Sequence, residues 1–284
     1  MASAIPSAIP SAIPSSIPSA IAIALTIGGS DSGGGAGIQA DLKTFTALAV
    51  HGCSALSCVT AQNTRGVSRV DGLPPQALTA QIEAVLSDLP VGALKTGMLL
   101  NRELIEAAAA AIAPLALPKL IDPVMVSRAG AVLLEAEAIE AYRRCLLPQA
   151  ELLTPNLHEA RLLTGLEIAK AADVERAAAR LVDSGPQAVL IKGGGLAELR
   201  GRDYLFSRDG GPGRWLEHAL IDTPHTHGSG CTLGAAITAG RARGLALEPA
   251  VEQAKAFVEG ALRRSLAIGG GQGPLCHWHR WAEG

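Results

Sequence analysis

The stretch Asp222-Thr223-Pro224-His225-Thr226-His227-Gly228-Ser229-Gly230-Cys231-Thr232-Leu233-Gly234-Ala235-Ala236 decides how this chain is read. It passes a Pro and two His, narrows to Gly-Ser-Gly-Cys, and opens into an Ala-rich run of helical composition. Small residues from Gly228 through Ser229 and Gly230 to Cys231 let backbone N–H groups converge. A helix starting there adds its unpaired N–H groups and the positive end of its dipole. Such an arrangement receives an anion, most often a phosphate. One nucleophile-capable thiol, Cys231, stands at its lip. A Gly-capped turn before a helix with a buried Cys explains the same residues, so the flanking sequence has to decide.

Outward from this stretch the chain alternates. Apolar runs at 22–27, 53–59, 92–95, 119–121, 151–153 and 188–191 predict strands. Helical patterns lie between and after them at 38–50, 75–86, 102–112, 135–146, 157–163, 173–183 and 249–266. Residues 203–206 and 215–220 read as a strand pair about a Gly-rich turn, the one antiparallel-looking piece. Short strands alternating with longer helices imply an α/β fold with a mainly parallel central sheet covered on both faces. No linker divides residues 22–284, which read as one domain. In such sheets ligands bind beyond the carboxyl ends of the strands. The polar and Gly-rich residues fall there: Gly29 to Asp31, Gln62-Asn63, Lys95-Thr96-Gly97-Met98, Asp122, Asn156 and Lys192-Gly193-Gly194.

Composition narrows the partners. With 284 residues, 48% of them hydrophobic, the chain can bury a large core, and its formal net charge of −2 disfavours nucleic acid or an anionic membrane. No apolar run approaches the ~20 residues of a spanning helix. Five scattered Cys make no disulfide framework and suit a reducing, cytoplasmic setting. Residues 1–21 stand apart, repeating Ser-Ala-Ile-Pro; Pro at every fourth position forbids a helix and breaks a strand ladder, so a disordered tail is expected.

Gly35-Ala36-Gly37-Ile38-Gln39-Ala40 fits G-x-G-x-x-A, but residues intervene after the strand and no acid closes the next one, which disfavours a dinucleotide site and an oxidoreductase. The chain has no G-x-x-x-x-G-K-[ST] either. Phosphoryl transfer needs an anion cradle, cations beside the phosphates and a group for the acceptor's proton. Gly228 to Cys231 supply the cradle, and Lys192 can approach nucleotide phosphates. Asn156 and Glu159, three apart at a helix start, can hold water around Mg²⁺, which keeps much of its hydration. A Cys at a helix N-terminus is expected to have a lowered pKa, making its thiolate a base at neutral pH. The pairs His225/His227 and His277/His279 lack a further ligand at metal spacing.

At this point several collinear motifs carry a resemblance. They are Ala24-Leu25-Thr26-Ile27-Gly28-Gly29-Ser30-Asp31, Ala36-Gly37-Ile38-Gln39-Ala40-Asp41-Leu42-Lys43-Thr44-Phe45 and Ala61-Gln62-Asn63-Thr64-Arg65-Gly66-Val67. With them go Asp122-Pro123-Val124-Met125, Leu153-Thr154-Pro155-Asn156, His225 to Leu233, Gly271-Gln272-Gly273-Pro274 and His277-Trp278-His279. From about residue 22 to 282 the chain resembles the hydroxymethylpyrimidine/phosphomethylpyrimidine kinases of the ribokinase-like superfamily. The resemblance implies a three-layer α/β/α fold and two successive ATP-dependent phosphorylations in thiamine biosynthesis. The first acts on 4-amino-5-hydroxymethyl-2-methylpyrimidine and the second on its monophosphate. It places Gln62 as the pyrimidine-reading amide, Gly29, Asp41, Met98 and Val124 around the ring, and Cys231 where related sugar kinases carry a catalytic Asp. Asp122 either ends its strand or joins Lys192 and Asn156 at the nucleotide. The family usually has Gly-Thr-Gly-Cys; here Ser229 keeps the hydroxyl. A homodimer is a further expectation from the family. A pyridoxal kinase of the same superfamily and a non-catalytic pyrimidine-binding regulatory module are the competing readings.

Overall fold

Along the strands of this protein, successive apolar side chains serve two different cores. Leu25, Ile27, Leu94, Ile121, Leu153, Val189 and Ile191 pack into one. Ala24, Leu120, Leu152, Ala188 and Leu190 pack into the other. Alternation of side chains across a pleated strand produces this division, and burial on both faces is why the runs are continuously apolar. The computed structural model describes residues 21–125 and 135–281. The tail expected over residues 1–21 lies outside the described residues except for Ile21.

The elements run β1 (Ile23–Asp31), α1 (Gly37–Ala47), β2 (His51–Asn63), β3 (Gly66–Gly72), α2 (Pro75–Leu86), β4 (Ala93–Thr96), α3 (Arg102–Ile112), β5 (Lys119–Ile121) and α4 (Ala136–Ala141). Then come β6 (Leu152–Leu153), α5 (Leu157–Thr164), α6 (Ala171–Asp183), β7 (Ala188–Lys192), β8 (Arg202–Ser207), β9 (Arg214–Glu217), α7 (Ser229–Ala242) and α8 (Leu247–Arg263). Among the described residues nine strands form one sheet in the order β3-β2-β1-β4-β5-β6-β7-β8-β9. The six from β2 to β7 are parallel. Helices α2 to α6 cover the first core, and α1, α7 and α8 the second, giving the three-layer α/β/α arrangement.

The structure differs from the sequence reading at the sheet's margins. β3 pairs antiparallel with β2, and β8 with β7, so antiparallel pairing is not confined to β8 and β9. All seven residues of β3 are exposed, so burial imposes no alternation that a reader could detect. The helix expected over 135–146 stops at Ala141 and passes through one π-helical turn, Tyr142–Leu146. Helix α8 begins two residues before Pro249 because a first-turn residue needs no intrahelical N–H bond.

The parallel ladder aligns the strand ends. Gly97 N–H donates to Ile27 O at 2.8 Å, Asp122 N–H to Thr96 O at 3.3 Å, Thr154 N–H to Ile121 O at 3.0 Å and Lys192 N–H to Pro155 O at 2.9 Å. These bonds set the carboxyl ends of β1, β4, β5, β6 and β7 side by side under the head of α7.

Candidate active site

The head of α7 is built by a glycine that nothing else can replace. Gly228 sits at φ +84°, and a Cβ there would lie 1.8 Å from Gly35 O. That close approach locks the loop after β1 against the start of α7. Ser229 N–H returns to Thr226 O and Thr232 N–H to Gly228 O. Among the described residues no acceptor faces the N–H groups of Gly230 or Cys231. Two unpaired amides at the positive end of a 14-residue helix fit an anion such as a nucleotide phosphate. Lys192 reinforces them: its Nζ lies 3.4 Å from where a Cβ on Gly230 would stand.

Cys231 is half-buried beside these amides. Burial pushes its thiol up to about 11; the Lys95 ammonium opposes this, while the Asp41 and Asp122 carboxylates add to it. The lowered pKa expected from the helix N-terminus is therefore corrected. Desolvation and two carboxylates outweigh the dipole, and the resting sulfur carries its proton at neutral pH.

Two buried ion pairs flank the sulfur. Asp41, on the inner face of α1, accepts from Lys95 Nζ at 2.8 Å and from Thr26 Oγ1 at 2.6 Å. Its other oxygen, Oδ1, is buried with no hydrogen-bond partner among the described residues, as an acceptor awaiting a ligand's N–H or O–H would be. Asp122 accepts from Lys192 Nζ at 3.1 Å and from Thr154 Oγ1 at 3.2 Å. Burial works against both ammonium groups, but the neighbouring carboxylates prevail and hold Lys95 and Lys192 above their ordinary values.

Asn156 and Glu159 form a reciprocal capping box on α5. Asn156 Oδ1 accepts from Glu159 N–H at 2.9 Å, and Glu159 Oε2 from Asn156 N–H at 2.8 Å. The three-residue spacing read for Mg²⁺ hydration thus serves first to start a helix. Burial pushes the Glu159 carboxyl up to about 7, with Lys192 opposing and Asp122 adding. Among the described residues no group of three or more His, Cys, Asp and Glu could hold a metal ion alone. A cation that keeps its water and shares a nucleotide's oxygens suits this donor set better than a protein-caged one. The His residues are otherwise engaged: His225 Nδ1 accepts from Gly273 N–H, His277 pairs with Thr232 Oγ1, and His279 with Cys276 O.

At the other side of the sheet's carboxyl edge, Gln62 is half-buried near the tip of β2. Its amide lies 3.1 Å from Thr60 Oγ1 and 3.4 Å from His227 Nε2. His227 Nε2 is in turn 2.9 Å from Asp31 Oδ2. A Cβ on Gly29 would fall 2.8 Å from Met98 Cε and 2.9 Å from Cys58 Sγ, so Gly29 lets Met98 close over this floor. Val124 is half-buried two residues past Asp122, to whose carbonyl its N–H donates. The structure thus sets Gly29, Gln62, Met98, Asp122, Val124 and Lys192 at or just past strand ends, with Asp41 on α1, Asn156 and Glu159 at the start of α5, and Gly228 to Cys231 at the start of α7.

Sequence reasoning placed Asp31 and Lys95 at strand ends but gave neither a role. Asp31 accepts from the N–H groups of Gly33, Gly35 and Ala36 as well as facing His227, and so holds the Gly-rich loop in shape. Lys95 is 1% exposed, and only its position at a strand end hinted at it.

With this geometry in view, a family model described as phosphomethylpyrimidine kinase matches residues 31–276. The chain belongs to the phosphomethylpyrimidine kinase family. It is 59% identical over 252 residues to the hydroxymethylpyrimidine/phosphomethylpyrimidine kinase of Synechococcus elongatus, covering 88% of this chain and 95% of that one. A solved phosphomethylpyrimidine kinase from Clostridium difficile superposes with a TM-score of 0.76 at 37% identity, covering 84% of this chain and 99% of that one. The Bacillus subtilis pyridoxal kinase, solved as an ADP complex, superposes with a TM-score of 0.85 at 37% identity, covering 93% and 100%. The fold of the family is ribokinase-like, with which the layers described above agree, and its phosphate donor is ATP.

Proposed function

We propose that this protein is a hydroxymethylpyrimidine/phosphomethylpyrimidine kinase of thiamine biosynthesis. It phosphorylates the 5-hydroxymethyl group of 4-amino-5-hydroxymethyl-2-methylpyrimidine, then the monophosphate, giving the diphosphate. The observation that carries this reading is the pair of unpaired amides, Gly230 and Cys231, with Lys192 over them and a thiol at the same point.

In this reading Gln62 sets the ring's orientation, since an amide donates to a ring nitrogen and accepts from an exocyclic amine. Gly29, Met98 and Val124 line the ring's faces, and Asp41 offers Oδ1 to a donor on the substrate. Gly228, Ser229 and Gly230 shape the cradle whose amides stabilise the charge on the transferring phosphoryl group. Lys192 neutralises phosphate charge, with Asp122 fixing its ammonium. The substrate O–H bond breaks and its proton passes to the Cys231 thiolate. The oxygen bonds to phosphorus, and the bond from that phosphorus to the departing ADP oxygen breaks with its electron pair. Transition states of this kind are loose, so the proton leaves late and the amides contribute most. Mg²⁺, when bound, offsets nucleotide charge; Asn156 and Glu159 would hold its water, and Asp122 stands beside them. We place the protein in the cytoplasm as a homodimer, with residues 22–284 as one kinase domain. Among the described residues no helix is long and apolar enough to cross a membrane.

The likeness to pyridoxal kinase gives a second reading, because both substrates carry a hydroxymethyl group on a nitrogen heteroaromatic ring. A coupled ADP-release assay with the pyrimidine, its monophosphate and pyridoxal in parallel separates the two. Turnover of both pyrimidines is expected. Turnover of pyridoxal alone overturns the assignment, and no turnover of any of them leaves a binding module.

A further inference from the structure

Lys95, 1% exposed, is a buried charge for which the mechanism above has no use. Its position is set by three elements. It leaves β4 and reaches Asp41 on α1, and its Cε lies 3.3 Å from where a Cβ on Gly234 would stand. Gly234 is three residues beyond Cys231, on the same face of α7. The absence of a side chain there makes room for the lysine stem beneath the first turn of the helix, one turn from Cys231.

We propose that Lys95 is a positioning residue for the kinase reaction: its ammonium, moored by Asp41, is the fixed positive charge beside which the Cys231 sulfur carries negative charge when it takes the substrate's proton. The inference deepens the reading of Cys231 as base and rests on it. Four charged groups among the described residues bear on the sulfur. Lys95 from β4 and Lys192 from β7 favour the thiolate, while Asp41 from α1 and Asp122 after β5 oppose it. Lys192 faces Asp122 and the cradle, whereas the Lys95 stem lies beneath the turn of α7 that carries the sulfur. It stays protonated throughout; only the proton between substrate oxygen and sulfur moves. Asp41 therefore has one oxygen anchoring the lysine and a second, buried and unpaired among the described residues.

The test reads the sulfur directly. The full-length protein is alkylated with iodoacetamide over a range of pH, and modification of the Cys231 peptide is followed by mass spectrometry. In Lys95→Met the Cys231 profile should move up by about one pH unit, an approximately tenfold slower alkylation at fixed pH below the midpoint. kcat should fall while KM for ATP stays. Because Lys95→Met strands the Asp41 carboxylate, Lys95→Met/Asp41→Asn is measured beside it. With both charges gone the profile should move the same way by less. A folded variant of either kind whose alkylation profile matches the wild type, or moves down, overturns the proposal. Failure of the wild type to phosphorylate the pyrimidine would instead strike the kinase reading, and the alkylation profiles would still report on Lys95.

Discussion

At the scale of single residues, the sulfur of Cys231 raises the sharpest question, because burial pushes it up to about 11 and leaves it protonated at rest. A base works in its deprotonated form, so the thiolate fraction grows about tenfold for each pH unit below that value. The rate of phosphorylation should therefore rise from pH 7 to pH 9 in the wild type. Cys231→Ala keeps the backbone N–H and so should keep ATP affinity, while losing about 10²- to 10⁴-fold in kcat together with the alkaline rise. Steady-state kinetics across that pH range check both; a Cys231→Ala enzyme at wild-type rate would remove the thiol from the mechanism. Cys231 and the glycines before it could be read from sequence because their chemistry is written in consecutive residues. Lys95 could not, because its meaning depends on Asp41, 54 positions away, and on a glycine in a third element.

At the scale of elements, the start of α7 depends on two glycines in different ways. Gly228 has a left-handed φ of +84° and meets Gly35 O, so Gly228→Ala must move either the helix or the loop after β1. The left-handed conformation alone costs an Ala about 1–2 kcal/mol, before any clash. We expect a fall of several degrees in Tm, with ATP binding lost. Gly230 has no such constraint, and a Cβ there touches only the end of Lys192. Gly230→Ala should leave Tm within about a degree, by the usual small effect of surface-like substitutions, and weaken ATP binding by displacing the ammonium. Calorimetry paired with nucleotide titration separates the two, and equal behaviour would show that the cradle is not built as described. Element boundaries inside the sheet were legible because apolar runs and helical spacing alternate. β3 was not, since a strand exposed along its whole length leaves no burial pattern. Asn156 and Glu159 teach the converse: a spacing read for holding a metal's water is also that of a helix cap, and the structure shows the cap.

At the scale of the whole molecule, the carboxyl-terminal segment closes the structure over the functional helix. Cys276 N–H donates to Ala261 O at 3.2 Å, and His279 packs on Phe257 with ring centroids 4.9 Å apart, fastening the segment to α8. His277 Nε2 lies 3.0 Å from Thr232 Oγ1, the residue that follows Cys231, so the same segment reaches the head of α7. Burial, joined by the Lys43 ammonium and His279, lowers the His277 pKa to about 4. The sign follows from proton counting. Below the ordinary value of about 6.5 the unfolded chain binds a proton that the folded protein refuses, so stability falls as pH falls from there to about 4. A shift of that size corresponds to about 3 kcal/mol, an upper bound on what this one group removes. Urea unfolding at pH 7 and pH 4.5 should thus show a marked loss in the wild type. In His277→Gln, which can still hydrogen-bond Thr232 but cannot be protonated, the loss between the two pH values should shrink while the pH 7 stability changes little. An equal acid loss in both proteins would place the acid sensitivity elsewhere. A variant stabilised at pH 4.5 with unchanged kcat at pH 7 would show that the segment acts as a clasp on α7 rather than as part of the reaction.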